Sequence, residues 1–118
     1  EVQEGSELFG RAFEHFLTME VFAHSSYSDM NYPVSYWRTA SGFEVDLILN
    51  SRVAVEIKST DRVTNKHLKG LRAFKEEHDC TCILVSRDER PRQTFDEILI
   101  LPWRVFLDRL WANEIVVP

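Results

Sequence analysis

No stretch of this sequence stays apolar for the ~18–20 residues that a membrane-spanning helix needs. Its start carries no signal-peptide pattern, so nothing in it calls for a bilayer. Cysteine is scarce: Cys80 and Cys82 are the two present. Residues at i and i+2 share one face of a strand, and such close neighbours rarely form a disulfide. A disulfide-stapled scaffold is therefore excluded, and a reducing cytoplasm is the simplest setting. His78 adds a third soft donor nearby, but no second ligand pair stands at zinc-finger spacing. His15, His24 and His67 have no partner pattern that suggests a catalytic triad. No Gly-x-x-x-x-Gly-Lys-Ser/Thr occurs, which argues against the chain being an ATPase by itself. Excess positive charge is missing too. With 14 Lys and Arg against 19 Asp and Glu, the net charge is −5. Coating nucleic acid through bulk charge is thereby disfavoured, although a local basic face is not. There is no repeat, low-complexity tract or internal linker.

What is present is one domain's worth of core. The sequence has 118 residues, 44% of them hydrophobic, enough to bury a core and too many for a disordered chain. It opens on Glu1-Val2 and passes almost directly into a helix, which reads as a domain cut from a longer protein. Over 6–23, Leu8, Phe9, Ala12, Phe13, Phe16 and Leu17 recur at helical spacing, with Gly5-Ser6 as the start and Ser6 as N-cap. A polar loop spans 24–32. Strands follow at 34–39, 43–49 and 53–58, joined by turns at 40–42 and 50–52. They predict an antiparallel three-stranded meander. Leu68, Leu71 and Phe74 mark an amphipathic helix over 65–78, with Asn65 near its N-cap. Residues 80–86 are nearly all apolar, which suits a strand buried on both faces. A short strand at 98–101 leads to Pro102. Trp103, Phe106, Leu107, Leu110 and Trp111 then give a last helix an apolar face. The order predicts an α/β fold with a mixed (α+β) sheet and helices packed on it. The run 53–86 is a parallel crossover, expected right-handed.

Two segments point to chemistry: Gly42-Phe-Glu-Val-Asp46 and Glu56-Ile-Lys58. Alternation turns Val53, Val55 and Ile57 to the core, and Glu56 and Lys58 away from it. Val45, Leu47 and Leu49 share one face of their strand, and Glu44, Asp46 and Ile48 the other. A three-residue loop, Asn50 to Arg52, pairs Leu49 with Val53 and keeps the apolar faces together. That register sets Asp46 opposite Glu56. Two carboxylates so placed repel by a few tenths to ~1 kcal/mol, and a divalent cation between them reverses the sign. Mg2+ (or Mn2+) suits such a site, since magnesium takes one or two carboxylates plus waters and phosphate oxygens. Lys58 is placed to offset negative charge developing on a phosphate. The backbone carbonyl of Ile57 is a further ligand candidate. Glu14 is another, as a helix carboxylate in an apolar neighbourhood. The competing reading of an acid-x-Lys strand is a solvated face with an incidental ion pair.

The segments Gly10-Arg-Ala-Phe-Glu14, Tyr36-Trp-Arg-Thr39, Gly42 to Asp46 and Val55-Glu-Ile-Lys-Ser59 form one pattern. It continues through Lys69-Gly-Leu71, Phe74, Leu101-Pro-Trp103 and Val105-Phe-Leu107. Together they resemble the PD-(D/E)XK nuclease superfamily. More narrowly, they resemble the uncharacterised C-terminal domain of a group of bacterial and archaeal AAA-type ATPases. The resemblance runs along nearly the whole chain and departs from the superfamily at Val45, which replaces the Pro before the Asp. It implies a restriction-endonuclease-like αβββαβ core with an extra C-terminal strand and helix. It further implies that Asp46 and Glu56 ligate metal, that Lys58 positions or activates water, and that Glu14 supports a metal or its waters. The implied activity is magnesium-dependent hydrolysis of DNA or RNA phosphodiesters, with the ATPase module upstream in the same parent chain.

A nucleic acid partner would find Arg38, Arg62, Lys66 and Lys69 near that site, with Arg72 and Lys75 further along. A solvated helix side balanced by Glu76 and Glu77 is the plainer reading of those lysines. Tyr36 and Trp37 could stack on bases, but they alternate along a strand, so one of them belongs to the core. The alternative function is a non-catalytic accessory domain that docks on the ATPase or a partner through the apolar last helix, with Trp103 and Trp111.

Overall fold

The computed structural model describes residues 6–118; Gly5 of the expected helix start lies outside them. Helix α1 spans Glu7–Tyr27. Ser6 caps it as expected, its Oγ accepting the Phe9 N–H at 2.9 Å. The helix runs one turn beyond the expected end at 23. His24, fully buried, sits between the Tyr32 hydroxyl at 2.7 Å from Nδ1 and Asn113 Oδ1 at 2.8 Å from Nε2. Polar sequence there is anchored by partners far along the chain, so the helix does not stop where its apolar stripe does.

Strands β1 (Val34–Arg38), β2 (Glu44–Leu49) and β3 (Val53–Ile57) form the expected antiparallel meander. A 3₁₀ turn, Asn65–Leu68, leads into α2 (Lys69–Glu77), where a single helix was expected. The cap of that turn is Thr64, with Asn65 beside it as expected. Strand β4 (Thr81–Ser86) then lies parallel to β3, and β6 (Leu99–Pro102) parallel to β4. A two-residue edge strand, β5 (Arg92–Gln93), pairs antiparallel with β6 and has no counterpart in the sequence reading. Helix α3 (Trp103–Trp111) closes the chain. The result is a mixed six-stranded sheet in the order β1-β2-β3-β4-β6-β5.

Both faces of the sheet are covered. On one, Phe13, Leu17 and Val21 of α1 and Phe106 and Leu110 of α3 pack on Leu49, Val55, Ile57 and Val85. On the other, Leu71 and Phe74 of α2 pack on Ile48, Ala54 and Leu84. Each fully buried Leu, Ile or Phe is worth about 1.5–3 kcal/mol relative to exposure. The apolar face of α3 is therefore spent inward: Phe106 and Leu110 are fully buried, while Trp111 keeps 42% of its surface. A group of exposed apolar side chains lies instead on α1, at Leu8, Phe16, Met19 and Phe22. Trp37 packs with Phe74 and Tyr36 points out, as alternation required of one of the two. Cys80 and Cys82 are free, with Sγ atoms 3.7 Å apart. No helix among the described residues is long and apolar enough to cross a membrane.

The hairpin register is the expected one, with Leu49 opposite Val53. The turn is built on Asn50 and Ser51, both at positive φ, and closed by Arg52 N–H to the Leu49 carbonyl at 3.0 Å. Alternation along β2 is corrected in one place. Ser35 pairs with Ile48 but Trp37 pairs with Val45, so β2 spends three residues where β1 spends two. The extra residue is a bulge at Asp46–Leu47. It turns Val45 to the α2 side with Ile48, away from Leu47 and Leu49.

Candidate functional site

Bulges recur where a strand must re-aim a side chain, and this one carries Asp46. Past Leu47 and Val55 the backbone ladder between β2 and β3 ends. Side chains replace it. The Ile57 N–H donates to Asp46 Oδ2 at 2.8 Å, and the Asp46 N–H donates to Glu56 Oε1 at 3.0 Å. Each acid accepts an amide of the opposite strand, so both carboxylates are fixed by backbone. Lys58 extends past the end of β3 and brings Nζ to 3.3 Å from Glu56 Oε2. Asp46, Glu56, Ile57 and Lys58 are thus one cluster.

Glu56 is 5% exposed. Burial, and then the neighbouring Asp46 charge, push its carboxyl up to about 8. Burial likewise raises Asp46, against the hydrogen bond from Ile57 that favours its ionised form. Two carboxyls forced up together share protons until a cation relieves them. Burial by itself would lower the Lys58 ammonium, but Glu56, Asp46 and Glu14 outweigh it and keep it charged. Glu14 is exposed on α1 and accepts no hydrogen bond from the cluster. It lies close enough for burial and the Asp46 charge to raise it, with Lys58 opposing. Among the described residues no three His, Cys, Asp or Glu side chains gather closely enough to enclose a metal. The donor set is two carboxylates, with the Ile57 carbonyl as the further ligand candidate beside them. That suits magnesium, which keeps several waters and needs only one or two protein carboxylates. It does not suit a cation that demands a full protein cage.

Glu56 and Lys58 form the floor of a cleft of about 250 Å³. One wall is the turn from Ser41 to Glu44, where Gly42 takes φ +101°. The other is Lys66, His67, Lys69 and Gly70. Gly70 is required by contact: a Cβ there would stand 2.1 Å from the Glu44 carbonyl oxygen. Of the four expected nucleic-acid contacts, Lys66 and Lys69 reach the cleft. Arg38 instead pairs with Glu44 at 3.4 Å and lies over the Tyr36 ring. Arg62 lines a separate depression with Asp61, Arg87 and Glu89. Arg72 is tied to Asp96 at 2.9 Å. A wider recess of about 860 Å³ opens at the far end of the sheet, beside Asn50, Lys75, Cys80 and Val117. Of the acid pair and Lys58, Glu56 and Lys58 line the smaller cleft and none lines this recess.

Residues 9–106 match the family described as "Domain of unknown function (DUF4143)". The chain belongs to that family. No curated protein and no solved structure matches it. The DUF4143 match spans α1 to the middle of α3 and so contains the acid pair, Lys58 and both cleft walls. Reading the DUF4143 sequence alone missed His67 and Gly70. The signals for them were Thr64-x-x-His67, a helix-start spacing, and a glycine on the helix that faces the acid strands.

Proposed function

We propose that this domain is a PD-(D/E)XK-type nuclease that hydrolyses phosphodiesters of DNA or RNA with magnesium. The observation that carries the reading is the Asp46–Glu56 pair: adjacent carboxyls, Glu56 buried and Asp46 half-buried, each clamped by a backbone amide, with a charged lysine 3.3 Å from Glu56. Burying two acids together is costly unless something positive is meant to join them. When bound, magnesium would supply Lewis-acid polarisation of a phosphoryl oxygen and acidify a water. Asp46, Glu56 and the Ile57 carbonyl are the groups that would hold it. Lys58 stands at the cleft floor, where its ammonium offsets charge gathering on the phosphoryl oxygens. Glu14, near enough to feel the Asp46 charge, is assigned in this reading to a water rather than to the ion. The ATPase module of a parent chain belongs to the same proposal.

Calorimetry with magnesium and manganese tests the reading. Wild type should bind and Asp46→Ala should lose binding. Nuclease assays should then show cleavage that Lys58→Ala removes. Absence of metal binding by the wild type would sink the proposal. A second reading, a non-catalytic domain that docks onto the ATPase or a partner, draws on the exposed α1 side chains Leu8, Phe16, Met19 and Phe22.

A further inference from the structure

His67 has a fixed tautomer. The Thr64 backbone N–H, which can only donate, points at His67 Nδ1 across 2.9 Å. Nδ1 must therefore hold a lone pair, and the ring hydrogen sits on Nε2. The same contact ties down the turn before α2, with the His67 N–H returning to the Thr64 carbonyl at 3.0 Å. Burial, then Lys66 and Lys58, lower the His67 imidazole, so the ring stays neutral near pH 7. Nε2 has no partner among the described residues, and the residue lines the same cleft as Glu56 and Lys58. On either side of it, Lys66 and Lys69 also line the cleft and make no ion pair among the described residues. Two unpaired cations and one oriented neutral donor share a wall. Across from them, the floor lysine is already engaged by Glu56.

We propose that His67 is a positioning residue for a backbone phosphate. Its Nε2–H donates to a non-bridging oxygen of a phosphodiester in a nucleic-acid strand, while Lys66 and Lys69 supply the charge. This rests on the phosphodiesterase reading above and adds to it the wall that orients the strand. A cleft of about 250 Å³ falls below the ~300–1,000 Å³ typical of pockets that engulf a small molecule. It admits a stretch of sugar-phosphate backbone and leaves the bases outside. Contacts of that kind fix register without reading sequence. A neutral donor fixed by its own cap adds direction where the mobile lysines add only charge.

Two isosteres separate the cap from the donor. Asn places an amide oxygen near the position of Nδ1, so His67→Asn keeps the cap and loses the donor. Gln places an amide nitrogen near the position of Nε2, so His67→Gln keeps the donor and loses the cap. The probe is a 5′-fluorescein 16-mer deoxyoligonucleotide, followed by anisotropy in low salt with chelator. His67→Asn should bind about tenfold more weakly, in line with loss of one hydrogen bond to a charged acceptor, at an unchanged melting temperature. His67→Gln should keep its affinity and melt lower. Lys66→Ala and Lys69→Ala should each flatten the log K against log salt slope by about 0.7. Wild-type affinity in His67→Asn would reduce His67 to a cap and overturn the proposal, as would no oligonucleotide binding by the wild type. Displacement of the probe by equimolar inorganic phosphate would assign the cleft to free phosphate and overturn the strand reading. A magnesium titration of the same proteins keeps the two readings apart. Metal binding with an unaffected His67→Asn removes this inference alone. A His67→Asn defect without metal binding removes the nuclease reading alone.

Discussion

Gly70→Ala puts a single methyl where helix and sheet are closest. The added Cβ would lie 2.1 Å from the Glu44 carbonyl oxygen and 3.2 Å from its carbon, about 0.9 Å inside the closest approach that Cβ atoms make. The obstacle is backbone of a paired strand, which cannot rotate aside, so α2 must move outward. Leu71, fully buried, and Phe74, 5% exposed, move with it. A radial gap of about 0.5–1 Å forfeits a quarter to a half of a dispersion contact. Overpacking of this kind typically costs about 1–3 kcal/mol. Helix propensity works the other way, by at most ~1 kcal/mol in favour of Ala, and less near a helix start. The net expectation is a loss of about 1–2 kcal/mol, or roughly 4–10 °C in melting temperature for a domain of this size. Gly10→Ala is the matched control. There the nearest atom is the Ser59 hydroxyl at 3.2 Å, a side chain that can turn, so propensity should win and stability hold or rise slightly. Urea titration followed by tryptophan fluorescence reads both. A Gly70→Ala midpoint at or above wild type would show that the close approach carries no load, and the reasoning would fail.

The acid pair and the thiols give two more expectations. Glu56 ordinarily titrates near 4.5 and is held up to about 8 in the folded protein. The folded state thus keeps a proton that the unfolded chain releases, and stability falls as pH rises from about 4.5 to about 8. Glu56→Gln cannot ionise. In chelated buffer its unfolding free energy should overtake that of wild type across that window, by an amount on the order of 1–3 kcal/mol after sharing with Asp46 and Lys58; equal pH profiles for the two proteins would refute this. Cys82 is fully buried, and its thiol is pushed up to about 12 by burial and then by Cys80. A disulfide reagent at pH 8 should leave it unmodified in native protein and label it after denaturation, and rapid native labelling would contradict the packing.

Much of the site could be read from residues, because it sits in a hairpin. Apolar alternation along β3 and the length of the 50–52 loop were enough to set Asp46 against Glu56. The bulge at Asp46–Leu47 was not legible. Both faces of this sheet are covered, so Val45 is equally at home on either, and hydrophobicity gives no sign of which it takes. The last turn of α1 escaped for another reason. His24 is held by Asn113, 89 residues away, and no local pattern encodes such a partner. The Thr64-x-x-His67 spacing marks a helix start but not that the ring lines the cleft, and the apolar neighbourhood of Glu14 in sequence does not bury its side chain, which is exposed on α1. The two-residue strand β5 is too short to have a period. On the other side of the sheet, Trp37 and Tyr36 divided between core and solvent as strand geometry demands.

The two halves of the cleft differ in how far along the chain they must be gathered. Asp46 and Glu56 are ten residues apart, and everything that holds them comes from one hairpin and its own amides. The basic wall belongs to the crossover, and it arrives only when α2 settles against β2 at Gly70. In folding terms the acid half is local, with little loop entropy to overcome, and the basic half depends on sheet and helix closing together. An opening of α2 away from β2 would therefore leave the carboxylates in place and strip them of their wall.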